Sequence, residues 1–329
     1  MTRNLRWVAI FAVLALVFAA CGDDDDAATT TAAPATTAAP TTTAAPTTTA
    51  APTTTEAPTT TEAPTTTTTT EPPAEIGSAE LPIQVLYVPS VSAEDIVAGG
   101  EVLAATLNEA TGLFFEVSVP TSYAATVEAM CAAPDSTMGF IPAQAYVLAN
   151  GLCNVDVELK ALRYGFTEYW TEFIVARDSD FETLEDLDGA TWAYPDGGST
   201  SGFIVPSGLF ASLGIEPAEG FEAGGHSAVV RAIYNGEADF GTVFFSPPID
   251  GGGTVIWDNT VAGADVPADL LDQCTWDEGN TNDLMCGADY EVRDARRNIR
   301  EEAGDVIQEV RIIDLSDGIP NDTLSFGPD

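Results

Sequence analysis

The chain has 329 residues, 51 Asp and Glu against 11 Lys and Arg, and a formal net charge of −40. So acidic a surface excludes nucleic acid and anionic membrane surfaces as natural partners. The length allows one large or two smaller domains once the ends are set aside.

Residues 1–20 carry Arg3 and Arg6, then the apolar run "WVAIFAVLALVFAA". That pattern is an export signal rather than a fold element. The pair Ala19-Ala20 directly before Cys21 reads as a lipoprotein cleavage site, with Phe18 standing where a leucine is usual two places earlier. Cys21 is then the lipidated N-terminus, anchoring the protein outside the cell membrane; a transmembrane span would need a longer run. Residues 21–80 follow as a Thr/Ala/Pro-rich linker in which the prolines from Pro34 to Pro64 recur every six residues. Nothing there buries apolar area, so the linker is expected to be disordered or loosely polyproline II, a stalk on the order of 150 Å long. Its threonines are candidates for glycosylation. Such tracts resemble those of exported proteins from high-GC Gram-positive bacteria.

From Leu81 onward strands and helices alternate. "IQVLYV" reads as a buried strand, and "AEDIVAGGEVLAATLNEATG" as a helix capped by Gly112. "FFEVSV", "TMGFI", "TEFIVA", "TWAY" and "ADFGTVF" are further strands. "TVEAMCAA", "SGFIVPSGLFASLG" and "AVVRAIYNG" are helices, the second of them despite Pro206. Alternating units of this kind predict an α/β fold with parallel sheets and ligands beyond the carboxyl ends of the strands.

Four cysteines remain after Cys21: Cys131, Cys153, Cys274 and Cys286. In an exported chain they predict disulfides, with three pairings possible and sequence proximity favouring Cys131–Cys153 and Cys274–Cys286. The loop "CTWDEGNTNDLMC" holds Asp277, Glu278, Asn280, Asn282 and Asp283. A solvated surface loop outweighs calcium there, because the spacing of an EF-hand is absent. No metal and no cofactor is expected.

The stretch "DGGSTSGFIVP" carries most of the functional argument. Ser199, Thr200 and Ser201 sit where a strand ends and a helix begins. Hydroxyls there either cap the helix or, with the free N–H groups and the dipole, cradle an anion. His226, the single histidine, opens another helix after Gly224-Gly225. Asp239, at a strand start, reads as structural. Between Arg177 and Arg231 there are ten Asp and Glu and no basic residue, so the anion is expected to be held by dipoles and hydroxyls without cationic help.

The run "EYWTEFIVARDSDFETLEDLDGATWAYPDGGSTSGFIVPSGLFASLGI", followed by "GGHSAVVRAIYNGEADFG" and "IPND", resembles the phosphonate- and phosphite-binding subunits of ABC importers. These are type II periplasmic binding proteins. The resemblance covers most of 81–329. It implies a two-lobed fold with mixed, mostly parallel sheets: lobe 1 over 81–166 plus 314–329, lobe 2 over 167–313, with "RYGFTEYW" and "DLSDGIP" crossing between them. It further implies that Ser199, Thr200 and Ser201 grip a phosphoryl group. His226 donates to it, Tyr123 and Tyr169 line the cleft, and Asp322 lies beside it. The implied partners are a small phosphorus oxyanion, an ABC permease with its ATPase, and the membrane through the N-terminal lipid. The protein is expected to be a monomer and not an enzyme. Two departures stand out. Ser246 occupies the place where aminophosphonate binders carry an acid, and the chain stops at Asp329 where relatives continue, so the end of lobe 1 is expected to be truncated and to expose apolar surface. Two other classes remain at this stage: a tethered sensor without transport, and an exported hydrolase using Ser199 or Ser201 with His226 and Asp239.

Overall fold

The structure is a computed structural model describing residues 73–276 and 283–328. The expected signal peptide (1–20), Cys21, most of the expected linker and Asp277, Glu278, Asn280 and Asn282 lie outside the described residues. The described chain begins ahead of the expected boundary at 81. Gly77 N–H bonds to Leu81 O at 2.8 Å and Gly77 O accepts from Phe114 N–H at 2.8 Å, so the last linker residues form a turn fastened to the fold.

The elements run β1 (Ile83–Tyr87), α1 (Ala93–Thr111), β2 (Phe115–Ser118), α2 (Tyr123–Ala132), β3 (Thr137–Ile141), α3 (Ala143–Cys153) and β4 (Asp156–Lys160). There follow β5 (Glu168–Ala176), β6 (Thr191–Tyr194), α4 (Val205–Leu213), β7 (Glu219–Glu222), α5 (His226–Tyr234) and β8 (Phe240–Phe245). Then come the short hairpin β9 (Cys274–Trp276) and β10 (Leu284–Cys286), α6 (Val306–Glu309), β11 (Val310–Leu315), β12 (Ile319–Pro320) and β13 (Thr323–Phe326). Local chemistry sets several boundaries. The Ser92 side chain accepts from Asp95 N–H at the start of α1, and Ser122 does the same for Ala125 at the start of α2. Gly112 closes α1 in the left-handed conformation at φ 76°.

Two sheets result. The first has strand order β2-β1-β3-β13-β4, the second β11-β5-β8-β6-β7, with β12 added beside the start of β5. The sheets are mixed, but not mostly parallel. Four pairs are parallel, among β1 to β3 and β6 to β8. Five are antiparallel, made by β5, β11, β12 and β13. The βα units pair in parallel as expected. The antiparallel strands lie where the chain crosses from one sheet to the other and returns, which periodicity does not register.

The second sheet is the better buried. Phe173, Ile174, Val175, Phe240, Val243 and Phe245 are all fully buried. Trp192 packs between Phe203 and Phe240, its ring centroid 5.4 and 6.1 Å from theirs. The first sheet centres on Val85, Met130, Ile141, Ala149 and Val155, while Val147, Leu152 and Leu159 remain exposed. Cys131 is joined to Cys153, clasping the ends of α2 and α3, and Cys274 to Cys286, opposite each other in the β9–β10 hairpin. The segment from β8 to α6 is anchored by a buried ion network. Arg296, fully buried, donates to Asp294 at 2.9 and 3.0 Å and to Asp265 at 2.5 Å. Arg177 reaches the other oxygen of Asp265 at 2.9 Å.

Candidate functional site

The start of α4 is irregular for a reason written in the sequence. Pro206 has no N–H, so the carbonyls one turn before it lose their helical partner. The chain responds with a wide turn over Thr200–Ile204, in which Val205 N–H bonds back to Thr200 O. The two carbonyls left over are taken by threonines of the neighbouring strands. Thr171 donates to Ser201 O at 2.8 Å and Thr242 to Gly202 O at 2.5 Å. The turn is therefore bolted to β5 and β8. Gly202 is required there, since a Cβ would come within 2.3 Å of the Pro195 ring.

This turn lies beside a cavity of about 650 Å³ whose lining includes Ser199, Thr200, Ser201, His226, Tyr123, Tyr169 and Asp322. All seven ligand-binding candidates of the sequence thus meet in one place, together with Ser246. Four helical starts converge on it: Tyr123 of α2, Pro142 before α3, Ser199 before the turn into α4, and His226 of α5. The first N–H groups of each helix lack an acceptor within it, and their dipoles add to a positive potential.

The hydroxyls are set as donors. Ser199 Oγ accepts from Gly202 N–H at 3.1 Å, and Thr200 Oγ1 accepts from Gln144 N–H at 3.0 Å. With an acceptor lone pair engaged in each, the hydroxyl protons are free to point at a ligand. His226 is buried, and burial pushes its pKa down to about 3, so it is neutral at physiological pH. Its Nε2 lies 3.4 Å from Ser199 Oγ, while Nδ1 is buried without a hydrogen-bond partner. Burial raises the phenols of Tyr123 and Tyr169, which therefore stay protonated; the neighbouring hydroxyls of Ser199, and of Ser201 and Thr200, pull the other way. The result is a ring of neutral donors.

The same geometry bears on a Ser–His–Asp reading. Asp239 is 2.8 Å from Thr191 N–H, closing a strand start, and His226 Nδ1 has no carboxylate to orient it. Ser199 and His226 approach each other, but the third member of a triad is elsewhere.

The expectation of an anion site free of cations is overturned. Arg163, Arg293, Arg297 and Asn298 also line the cavity. Arg163 is held in a turn where its N–H bonds to Phe166 O at 3.0 Å, and its guanidinium reaches Asp322 at 2.6 Å. Asp322 is thus already paired, and its charge is not bare beside the cradle. Arg293 and Arg297 come from "RDARRNIR", which holds four of the 11 Lys and Arg. That concentration in so acidic a chain was the available signal. A candidate calcium ligand, Asp283, is instead bonded to Arg297 at 3.2 Å. Among the described residues no group of three or more His, Cys, Asp or Glu is placed to hold a metal ion.

The sequence pattern of a family described as "ABC transporter, phosphonate, periplasmic substrate-binding protein" matches residues 85–329. The chain belongs to this family. The Phosphate-import protein PhnD of Mycolicibacterium smegmatis is 28% identical over 177 residues, which is 49% of this chain and 54% of that protein. The chain thus spans about half the length of the curated relative it matches. In fold it is similar to a binding protein component of an ABC phosphonate transporter from Pseudomonas aeruginosa, with TM-score 0.53, 16% identity, and 74% and 68% of the two chains covered. It is similar also to PhnD1 from Prochlorococcus marinus, solved in complex with methylphosphonate, with TM-score 0.52, 12% identity, and 75% and 76% covered. The two-sheet architecture is that of the type II periplasmic binding proteins.

Proposed function

We propose that the protein is a lipid-anchored, extracytoplasmic solute-binding protein that captures a small phosphorus oxyanion for an ABC permease and its ATPase. The anchor is Cys21, and the linker holds a monomeric binding unit away from the membrane. Residues 81–166 with the returning strand β13 act as one lobe and 167–315 as the other, a boundary later than the expected 314 because Asp314 and Leu315 still pair with β5; the lobes close on the ligand by a hinge at the two crossing segments. Ser199, Thr200, Ser201, His226, Tyr123 and Tyr169 receive the phosphoryl oxygens, and Asp322 accepts the ligand's P–OH while Arg163 balances its charge. The observation that carries this reading is the convergence of four helix starts on hydroxyls whose lone pairs are already engaged. No covalent step is needed, in keeping with a family of binding components.

Calorimetric titration of the protein with methylphosphonate, phosphite, phosphate and sulfate tests it. Saturable binding of at least one phosphorus oxyanion is expected, with sulfate much weaker because it brings no proton for Asp322. Binding of none of the three phosphorus anions, or tightest binding of sulfate, would overturn the assignment.

A further inference from the structure

The cavity has a second set of donors that a single tetrahedral anion does not use. Arg293 is held at one end: Nη1 pairs with Glu291, and the guanidinium lies over the Tyr164 ring at 4.6 Å. Its Nε is buried and has no hydrogen-bond partner, and neither has the buried Nδ2 of Asn298 on the same segment. Both side chains line the cavity that holds the hydroxyl cradle. Burial, and then the charges of Arg297 and Arg300, push the Arg293 pKa down to about 10, as expected where guanidinium groups are crowded away from water. Buried donors without acceptors are costly, and a charged donor more so. Ser246, also in the lining, brings no negative charge to the cavity.

A cavity of about 650 Å³ is within the roughly 300–1,000 Å³ of drug-sized ligand sites, and one tetrahedral anion fills a small part of it. We propose that the ligand carries a second oxyanion group, received by Arg293 and Asn298, so that the preferred class is a phosphonocarboxylate rather than a simple or amino-substituted phosphonate. This rests on the cradle reading above. An ammonium tail would meet guanidinium at that end, whereas a carboxylate would meet the Arg293 guanidinium and the Asn298 amide of the lining. Arg293 and Asn298 are specificity-determining residues, distinct from the hydroxyls that take the phosphoryl group.

Titrations with methylphosphonate, phosphonoacetate, 3-phosphonopropionate and 2-aminoethylphosphonate separate the two parts. One of the two phosphonocarboxylates is expected to bind at least tenfold more tightly than methylphosphonate, and 2-aminoethylphosphonate more weakly. Arg293→Gln is expected to remove that advantage, costing the phosphonocarboxylate at least tenfold and methylphosphonate clearly less. Asn298→Asp, which keeps the side-chain shape, serves the same purpose should Arg293→Gln fail to fold. Methylphosphonate binding as tightly as both phosphonocarboxylates would overturn the second contact alone. Equal losses for both ligand types in the variant would do the same. Failure of every phosphonate to bind would overturn the cradle as well.

Discussion

The two ends of the cavity are built by opposite means. At one end are neutral donors: hydroxyls, helix starts, and a histidine that burial keeps uncharged at a pKa of about 3. They sit on a turn bolted to β5 and β8 and need no counter-charge. At the other end are guanidiniums, and each comes with a carboxylate: Arg293 with Glu291 and Arg297 with Asp283. A neutral cradle pays little desolvation cost when empty and gains strength only as an anion arrives. A cationic end must be neutralised while it waits. That contrast explains how a chain of net charge −40 can hold an anion at all.

The comparison breaks most severely at Arg296. This residue is not in the lining, but its four bonds to Asp294, Asp265 and Val310 O fix the segment that presents Arg293 and Arg297. It is fully buried, so truncation strands the Asp294 carboxylate and leaves Asp265 to Arg177 alone. Arg296→Ala should cost about 3–5 kcal/mol in denaturant unfolding. Loss of less than about 1 kcal/mol would show that the segment is held by packing alone.

Next in size is the neutral end. Thr200→Ala removes a donor to the anion and also the acceptor for Gln144 N–H. His226→Ala removes a buried ring packed 5.1 Å from Phe244. Each should weaken binding of a phosphorus oxyanion by at least tenfold, since a hydrogen bond to a charged group contributes about 1.5–3 kcal/mol. Unchanged affinity in both variants, measured by calorimetry, would move the binding energy to the cationic end.

The neutral end was legible in the sequence because its signals are local. Small hydroxyl residues stand between the strand "TWAY" and a helix, and a histidine follows two glycines at another helix start; both lie where an α/β sheet places ligands. The cationic end was not legible. Asp322 came from the family resemblance, but its partner Arg163 lies 159 residues away in the chain, and the segment carrying Arg293 has no helical or strand periodicity to place it. The wide turn before α4 was missed for a related reason. Pro206 announces a fault in the helix, but the repair comes from Thr171 and Thr242 on two other strands. The antiparallel strands at the crossings likewise arise from long-range pairing.

The last expected effect is a pH dependence that sets the site apart from the core beneath it. Glu172 of β5 is fully buried, with neither carboxyl oxygen hydrogen-bonded. Burial raises its pKa well above 4.5, Asp294 adds to the rise, and Arg296 opposes it. The folded state therefore keeps a proton that the unfolded chain gives up above pH 4.5, so this residue's contribution to stability falls as pH rises from there. His226 has the opposite sign. The unfolded chain takes up a proton below pH 6.5 that the folded state refuses until about pH 3, so stability falls as pH drops through that window. Together they place the maximum between the two limbs. Glu172→Gln is a neutral isostere, and should be more stable than the parent at pH 8 and equal to it near pH 4. His226→Gln should flatten the acid limb and leave the alkaline one unchanged. Denaturant titrations at pH 4, 6 and 8 read both. A Glu172→Gln variant less stable than the parent at pH 8 would mean that the carboxylate is ionised and held by Arg296, making the core beneath the site, like its cationic end, an ion pair rather than a neutral group.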